Sequence, residues 1–243
     1  MDKEHCVLVH GFTGSPEELE PLADALRDAG YEVSVPVLYG HGPTSEDLRG
    51  ATASSWIQSV QPIVETAIAN GPVHLVGFSM GAMVCAVLAA KFPVASITML
   101  SPAVFYVGPR QMFRQIAGVI KESWAGREFN ATALRKRIDK VSNTPLSSVK
   151  QFRRMVQLGK AALPDIRAPL CVIQGEKDEI VEPRSASYVC TKAASELKEL
   201  HFLSQSTHLI CHGAECETVN QLVLKFLSGL HQSGDYSSVQ HHA

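Results

Sequence analysis

No stretch of this 243-residue chain is apolar over the roughly 20 residues that a membrane-spanning helix needs. Residues 1–5, MDKEH, are polar and lead straight into an apolar run, so no signal-peptide layout is expected there. Lys and Arg form no long run, and the net charge is only −2, so no polyanion-binding footprint shows and nucleic acid is not an expected partner. Arg110 with Arg114, and Arg135-Lys136-Arg137, read as solvated helix faces. The six cysteines, at 6, 85, 171, 190, 211 and 216, fit neither a zinc ribbon nor a disulfide framework, which suits a reducing cytosol and a cytoplasmic protein. Cys6, Cys85 and Cys171 sit in apolar runs and read as small core residues. Cys211-His212 with Cys216 is the nearest approach to a metal cluster. No second Cys/His pair completes four ligands, so neither a metal nor a cofactor is expected. Repeats and low-complexity linkers are absent.

What is present is an ordinary globular composition, 45% hydrophobic and 19% charged, at a length that suits one domain with a full core. Strand-like and helix-like runs alternate, which predicts an α/β fold with a mostly parallel sheet flanked by helices. Cys6-Val7-Leu8-Val9 opens the alternation. Ser15-Pro16-Glu17-Glu18 then supplies an N-cap, a proline and a capping-box glutamate for a helix that Gly30 stops. A strand over 31–36, a helix over 55–69 and strands at 73–76 and 96–100 follow. From about 104 to 165 there is no strand candidate, and this stretch reads as a small helical cap insertion. The pattern resumes with a strand over 169–174, a helix near 184–194, a strand near 198–202 and a helix near 216–230. The core is thus expected at about 5–103 and 166–230, with a frayed tail over 231–243.

Chemistry enters at Gly77-Phe78-Ser79-Met80-Gly81. A β-branched run precedes it and an Ala-rich helical run follows it. A serine in so tight a strand-to-helix turn is forced into strained backbone with its hydroxyl held above the sheet, and the two glycines remove the Cβ atoms that would collide there. A serine hydroxyl is a poor nucleophile without a base and an acid that orients the base. Functional groups of such sheets gather in the loops at the carboxyl ends of strands. That filter selects Asp178 in Gly175-Glu176-Lys177-Asp178-Glu179, with Glu176 and Glu179 as rivals, and His208 in the loop ahead of the last helix. Ser79, Asp178 and His208 stand in the chain order Ser, Asp, His expected of the α/β-hydrolase arrangement. Backbone N–H groups of Met80, after the nucleophile, and of Phe12, in His10-Gly11-Phe12-Thr13-Gly14, are placed to form an oxyanion hole. Val107, Met112, Phe113 and Ile116, at the apolar entry to the insertion, are candidate acyl-binding residues.

Together with Tyr39-Gly40-His41-Gly42 and Ser206-Thr207-His208, these motifs resemble the bacterial carboxylesterase and monoacylglycerol-lipase-like branch of the α/β-hydrolases, from about His5 to Leu230. The resemblance implies a compact cap over an acyl pocket and His41 near the site as a structural support. It also implies a serine ester hydrolase acting on short- to medium-chain acyl esters, monoacylglycerols among them. The expected partner is a small acyl ester, with no membrane span and a monomer or small homo-oligomer. The same constellation supports thioester, lactone or C–C bond hydrolysis and acyl transfer. A non-catalytic receptor on this fold would have no chemical need for the serine, acid, histidine and Gly-rich loop together.

Overall fold

The computed structural model describes residues 3–42, 44, 46–108 and 143–233. Six strands form one sheet: β1 (His5–Val9), β2 (Glu32–Ser34), β3 (Val73–Phe78), β4 (Ser96–Leu100), β5 (Leu170–Gly175) and β6 (Lys198–Leu203). Their spatial order is β2-β1-β3-β4-β5-β6, and every pairing is parallel. The helices among the described residues are α1 (Glu20–Asp28), α2 (Ala53–Ile68), α3 (Met80–Lys91), α4 (Leu146–Ala162), α5 (Arg184–Lys192) and α6 (Cys216–Ser233). This is the α/β architecture that the alternating runs predict.

Side chains alternate across the sheet and feed two cores. Val7, Val9, Leu75, Ile97, Met99, Leu170 and Val172 pack with α2, α3, α4 and α5. Cys6, Leu8, Val76, Phe78, Leu100, Cys171 and Ile173 pack with α1 and α6 on the opposite face. Covering both faces explains why β1 and β3 to β5 read as nearly continuous apolar runs. The edge strands differ: β2 has no buried residue, and β6 alternates exposed with half-buried residues up to Leu203.

The chain leaves β1 for β2 on one side, then returns past β1 to lay down β3 to β6 on the other. The loops after β1 and β3 therefore diverge from one crevice, the place where open parallel sheets bind ligands. No described helix is long and apolar enough to cross a membrane.

Three local expectations are corrected. The strand expected over 31–36 pairs with β1 only through Glu32, Val33 and Ser34; Pro36 has no N–H to extend the ladder. The predicted capping box does not form. A 3₁₀ turn over Pro16–Glu18 precedes α1, Ser15 caps no backbone amide, and the Glu18 carboxylate instead accepts the Gly11 N–H at 3.0 Å. Within the stretch read as a cap, α4 belongs to the layer beside the sheet. Phe152, Met155 and Val156 are buried in the same core as Met83, the Ser148 hydroxyl donates to the Leu48 carbonyl at 2.9 Å, and Ala53 N–H donates to Gln151 at 3.2 Å.

That packing is testable. Met155 is fully buried, so Met155→Ala is expected to destabilise the whole domain by about 2–5 kcal/mol in urea unfolding followed by circular dichroism. A loss below about 1 kcal/mol would show α4 to be detachable from the core.

Candidate active site

Ser79 lies between β3 and α3 with φ of 53° and ψ of −114°. Only Thr13, Ser79 and Ser101 among the described non-glycine residues have positive φ, and each lies in a loop leaving the carboxyl end of β1, β3 or β4. Such strain persists only where surrounding structure over-determines it. At Ser79 the amide donates to the Leu100 carbonyl at 2.9 Å, while the Ser79 carbonyl accepts the amides of Ala82 at 3.2 Å and Ala103 at 3.3 Å. A Cβ on Gly81 would stand 2.0 Å from the Val9 carbonyl oxygen, and one on Gly77 would stand 2.4 Å from the Ala82 Cα. Both glycines are thus obligatory, and the start of α3 is pressed against the end of β1.

Asp178 and His208 come from neighbouring loops after β5 and β6. Those loops touch: Lys177 N–H donates to the Ser206 carbonyl at 3.1 Å, and a Cβ on Gly175 would lie 2.3 Å from that same oxygen. The result is a continuous hydrogen-bonded chain. The Ser79 hydroxyl reaches His208 Nε2 at 3.1 Å, and His208 Nδ1 reaches Asp178 Oδ2 at 2.8 Å. All three residues are buried, with Ser79 7% exposed. The Asp178 carboxylate is saturated, because Oδ2 also accepts from the Gln174 amide at 2.9 Å and Oδ1 accepts the Ile180 and Val181 amides at 2.9 and 2.8 Å. With Oδ2 as acceptor, the imidazole carries a proton on Nδ1 and turns Nε2 toward the serine.

Burial, the largest influence on Asp178, would push its carboxyl up. The charge and hydrogen bond of His208, with the two amides, outweigh it and hold the carboxyl below its ordinary value. Burial likewise pulls His208 down, but Asp178's charge and hydrogen bond, helped by Glu179 and Glu18, leave it above the ordinary 6.5. The two directions agree, as they should for one ion pair.

The loop after β1 is pinned from several sides. Gly11 N–H is held by Glu18, Thr13 N–H donates to His41 Nε2 at 3.2 Å, and His10 Nε2 accepts the Leu38 N–H at 3.1 Å. His41, which the family resemblance implies to be a support, is buried here with its ring 5.0 Å from that of His10. Trp56 Nε1 donates to the Tyr39 carbonyl at 3.0 Å and anchors the second loop to α2. Phe12 and Met80 are both buried where the loop meets the elbow.

An aromatic wall extends from this loop. Phe152 of α4 stacks on Phe12 at 4.9 Å between centroids, and Tyr106 meets Phe152 edge-on at 4.9 Å. Sequence reasoning missed Phe152, Gln174 and Glu18. Phe152 had only a helical repeat to mark it, and the other two are polar residues whose buried partners lie in other turns. Val107 is half-buried and donates its N–H to the Ile180 carbonyl at 3.0 Å, which sets it beside the Asp178 loop. Met112, Phe113 and Ile116 lie outside the described residues. Of the rival acids, Glu176 is exposed. Glu179 has both carboxylate oxygens buried without a hydrogen bond. Burial, the largest influence, raises its pKa, and the negative charge of Asp178 adds to this against the opposing pull of the backbone amides and of His208.

Among the described residues one set could hold a metal, Cys171, Glu199 and His201, whose ligand atoms lie within 4.8 Å of one another. It sits toward the amino-terminal half of β5 and β6, away from Ser79. Burial raises the Cys171 thiol well above its ordinary value, and Glu199 and His201 already bond each other at 2.9 Å.

Comparison with known proteins gives the family and the fold. The family described as serine aminopeptidase, S33, matches residues 2–215. A thermostable monoacylglycerol lipase of Bacillus sp. (strain H-257) is 29% identical over 212 residues, 84% of this chain and 82% of that protein. A carboxylesterase of Bacillus subtilis (strain 168) is 23% identical over 92% of both chains. Among solved structures, one from work on the metagenome-derived lipolytic enzymes LipS and LipT superposes with a TM-score of 0.76 at 22% identity, covering 94% of each chain. At that identity the superposition speaks for the fold alone.

The buried pair makes a prediction that needs no substrate. Proton NMR of the imidazole is expected to show His208 titrating above 6.5 in the wild type. In Asp178→Asn the opposing charge is gone while burial remains, so the titration should drop below that value. An unchanged midpoint would mean that the two residues are not coupled.

Proposed function

The chain belongs to the serine aminopeptidase S33 family and is an α/β-hydrolase enzyme of the lipase and esterase kind; we propose that it cleaves carboxylic esters through an acyl-enzyme on Ser79. The observation that carries this reading is the unbroken chain from the Ser79 hydroxyl through His208 to Asp178, drawn from three separate loops. His208 Nε2 takes the hydroxyl proton as Oγ bonds to the acyl carbon. The carbonyl oxygen becomes an oxyanion, for which the Phe12 and Met80 amides are the donors. The Met80 amide opens α3 and adds the positive end of the helix dipole. Collapse breaks the ester C–O bond, and His208 returns its proton to the leaving alcohol. Water then attacks the acyl carbon, gives a proton to His208, and the carboxylic acid departs as Ser79 regains its hydrogen.

Asp178 stays ionised throughout, because its four donors all favour the carboxylate. Gln174 is its positioning residue. The substrate is a short- to medium-chain acyl ester, monoacylglycerols included, with its acyl tail against Phe12, Phe152, Tyr106 and Val107. The family's description names a peptidase, whereas the two relatives compared above are a lipase and a carboxylesterase. The aromatic wall suits an apolar acyl group, and the relatives' names favour esters over peptides as substrates. The protein's place is the cytoplasm, where six free thiols persist.

Ser79→Ala is expected to lower kcat on p-nitrophenyl butyrate by about 10⁴–10⁶ and to abolish labelling by a fluorophosphonate probe, with the fold unchanged. Labelling that survives the substitution would remove Ser79 as nucleophile. Aminoacyl p-nitroanilides turned over faster than esters would overturn the substrate class.

His208 must lose its proton to act as base, and its pKa is raised. The acid limb of kcat/KM should therefore lie above pH 6.5, with activity falling as pH drops through it. A limb below that value would contradict the assignment.

Chain-length preference is the third expectation. Across p-nitrophenyl esters from acetate to palmitate, kcat/KM should peak at short to medium chains and move toward longer ones in Phe152→Leu. An identical profile in the variant would take Phe152 out of the acyl pocket.

A further inference from the structure

Charge is segregated along this chain. Residues 109–167 hold 13 of the 22 Lys and Arg but only four of the 24 Asp and Glu, and the rest of the chain holds nine basic and 20 acidic residues. A net charge of −2 therefore conceals opposite surpluses of nine and eleven.

The described part of the basic stretch, residues 143–167, holds five of these 13 cations and one acid, and α4 gathers four of the cations on its outer side. Residues 143–164 contain no acid at all. Along α4, Ser148, Val149, Phe152, Met155, Val156 and Gly159 face the core. Lys150, Arg153 and Arg154 face solvent and Lys160 lies at the margin; Leu146, 86% exposed, and Leu158 share that outer face. On α5, Arg184, Tyr188 and Lys192 recur every four residues and form a second stripe. The stripes join at an aromatic pair, Phe105 and Tyr188, 5.1 Å between centroids. Lys160 Nζ lies 4.7 Å from the first ring and 5.1 Å from the second, Arg184 lies 4.4 Å from Phe105, and Lys192 lies 5.9 Å from Tyr188. Glu182 pairs with Arg184 at 2.6 Å, and Asp165 follows α4; neither balances the face. The surface also borders the candidate site, since Phe105 is two residues beyond Ala103, whose amide bonds to the Ser79 carbonyl.

We propose that the α4–α5 face docks the enzyme on an anionic lipid bilayer. Cations interleaved with an exposed leucine and half-buried rings are the composition of an interfacial surface, in which charges find lipid headgroups while apolar side chains enter the boundary beneath them. With a Debye length of about 8 Å at physiological salt, the acidic remainder is screened when the basic face touches the membrane. A chain of net charge −2 is then attracted in one orientation, with the rim of the site toward the lipid.

The test is sedimentation of the full chain, as Ser79→Ala to prevent turnover, with phosphatidylcholine vesicles with and without phosphatidylglycerol. Binding is expected only with phosphatidylglycerol present and should be lost at high salt. A cation near such a surface contributes about fivefold in partitioning, so Lys150→Gln/Arg154→Gln/Lys192→Gln should weaken binding about a hundredfold. In the otherwise wild-type enzyme these substitutions should leave p-nitrophenyl butyrate turnover unchanged, which shows that the fold is intact. Equal binding to pure phosphatidylcholine, no binding to either vesicle, or full binding by the triple variant would each overturn the proposal. So would retention on DNA-cellulose without vesicle binding, which would assign the face to nucleic acid. Because vesicle binding is read without turnover, its failure is separable from failure of the esterase reading.

Discussion

The close contact between the start of α3 and the end of β1 is the constraint on which the site rests. Ser79 holds a positive φ that costs a non-glycine residue free energy, on the order of 1–3 kcal/mol. Two backbone hydrogen bonds to β4 and the loop beyond it, a third from Ala82 in α3, and the missing Cβ atoms of Gly77 and Gly81 keep it there. One contact settles several things together. It turns the hydroxyl away from the sheet, points the amino end of α3 at the space above it, and sets the Met80 amide beside the loop that carries Phe12. A side chain at Gly81 would push α3 off β1, one at Gly77 would push α3 off β3, and either would move all of these groups at once.

Electrostatics at the site follow from how completely the Asp178 carboxylate is satisfied. A buried carboxylate with one partner would raise its own pKa and lose its charge. Four donors from Gln174, Ile180, Val181 and His208 prevent that. The retained charge then raises His208 against the effect of burial. Glu179, one residue along, shows the contrast. Its oxygens are equally buried but lack hydrogen bonds, and its pKa moves the other way. Two adjacent carboxyls in one loop are thus driven apart by donor supply together with charge, since Asp178 faces His208 and Glu179 faces the negative charge of Asp178.

Much of this was legible in the sequence because it was written in local signals. Apolar runs of five or six residues fall in the buried parallel strands, and the Gly-x-Ser-x-Gly motif sits at its strand-to-helix joint. Ser79, Asp178 and His208, chosen by loop position and chain order, lie on one hydrogen-bonded chain. The failures share a physical cause, which is partnership outside the element to which the local pattern assigns the residue. Glu18 satisfies a helix-capping pattern, yet Gly11 offers it a buried amide and wins. Phe152 reads as part of an insertion because nothing local reveals that its helix packs on α3 and its ring on Phe12. Net charge hid the basic face for a similar reason, since a sum over the chain is blind to where the charges fold.

A parallel sheet has two unlike ends, and this asymmetry ties the site to its surroundings. Every loop that leaves a strand does so at the carboxyl end, and a helix that follows at once, as α3 does, turns its amino terminus there. Backbone N–H groups and partial positive charge therefore gather around Ser79 without any cationic side chain in the buried chain. Phe105 leads from that end to the outside. Its backbone is tied to Ser185 at the start of α5 by bonds of 3.0 and 3.2 Å, and its ring lies under Lys160 and Arg184. The segment that leaves β4 beside the nucleophile thus ends inside the basic surface within five residues. A lipid surface drawn to α4 and α5 would meet the molecule where the segment leaving β4 beside Ser79 comes to the outside.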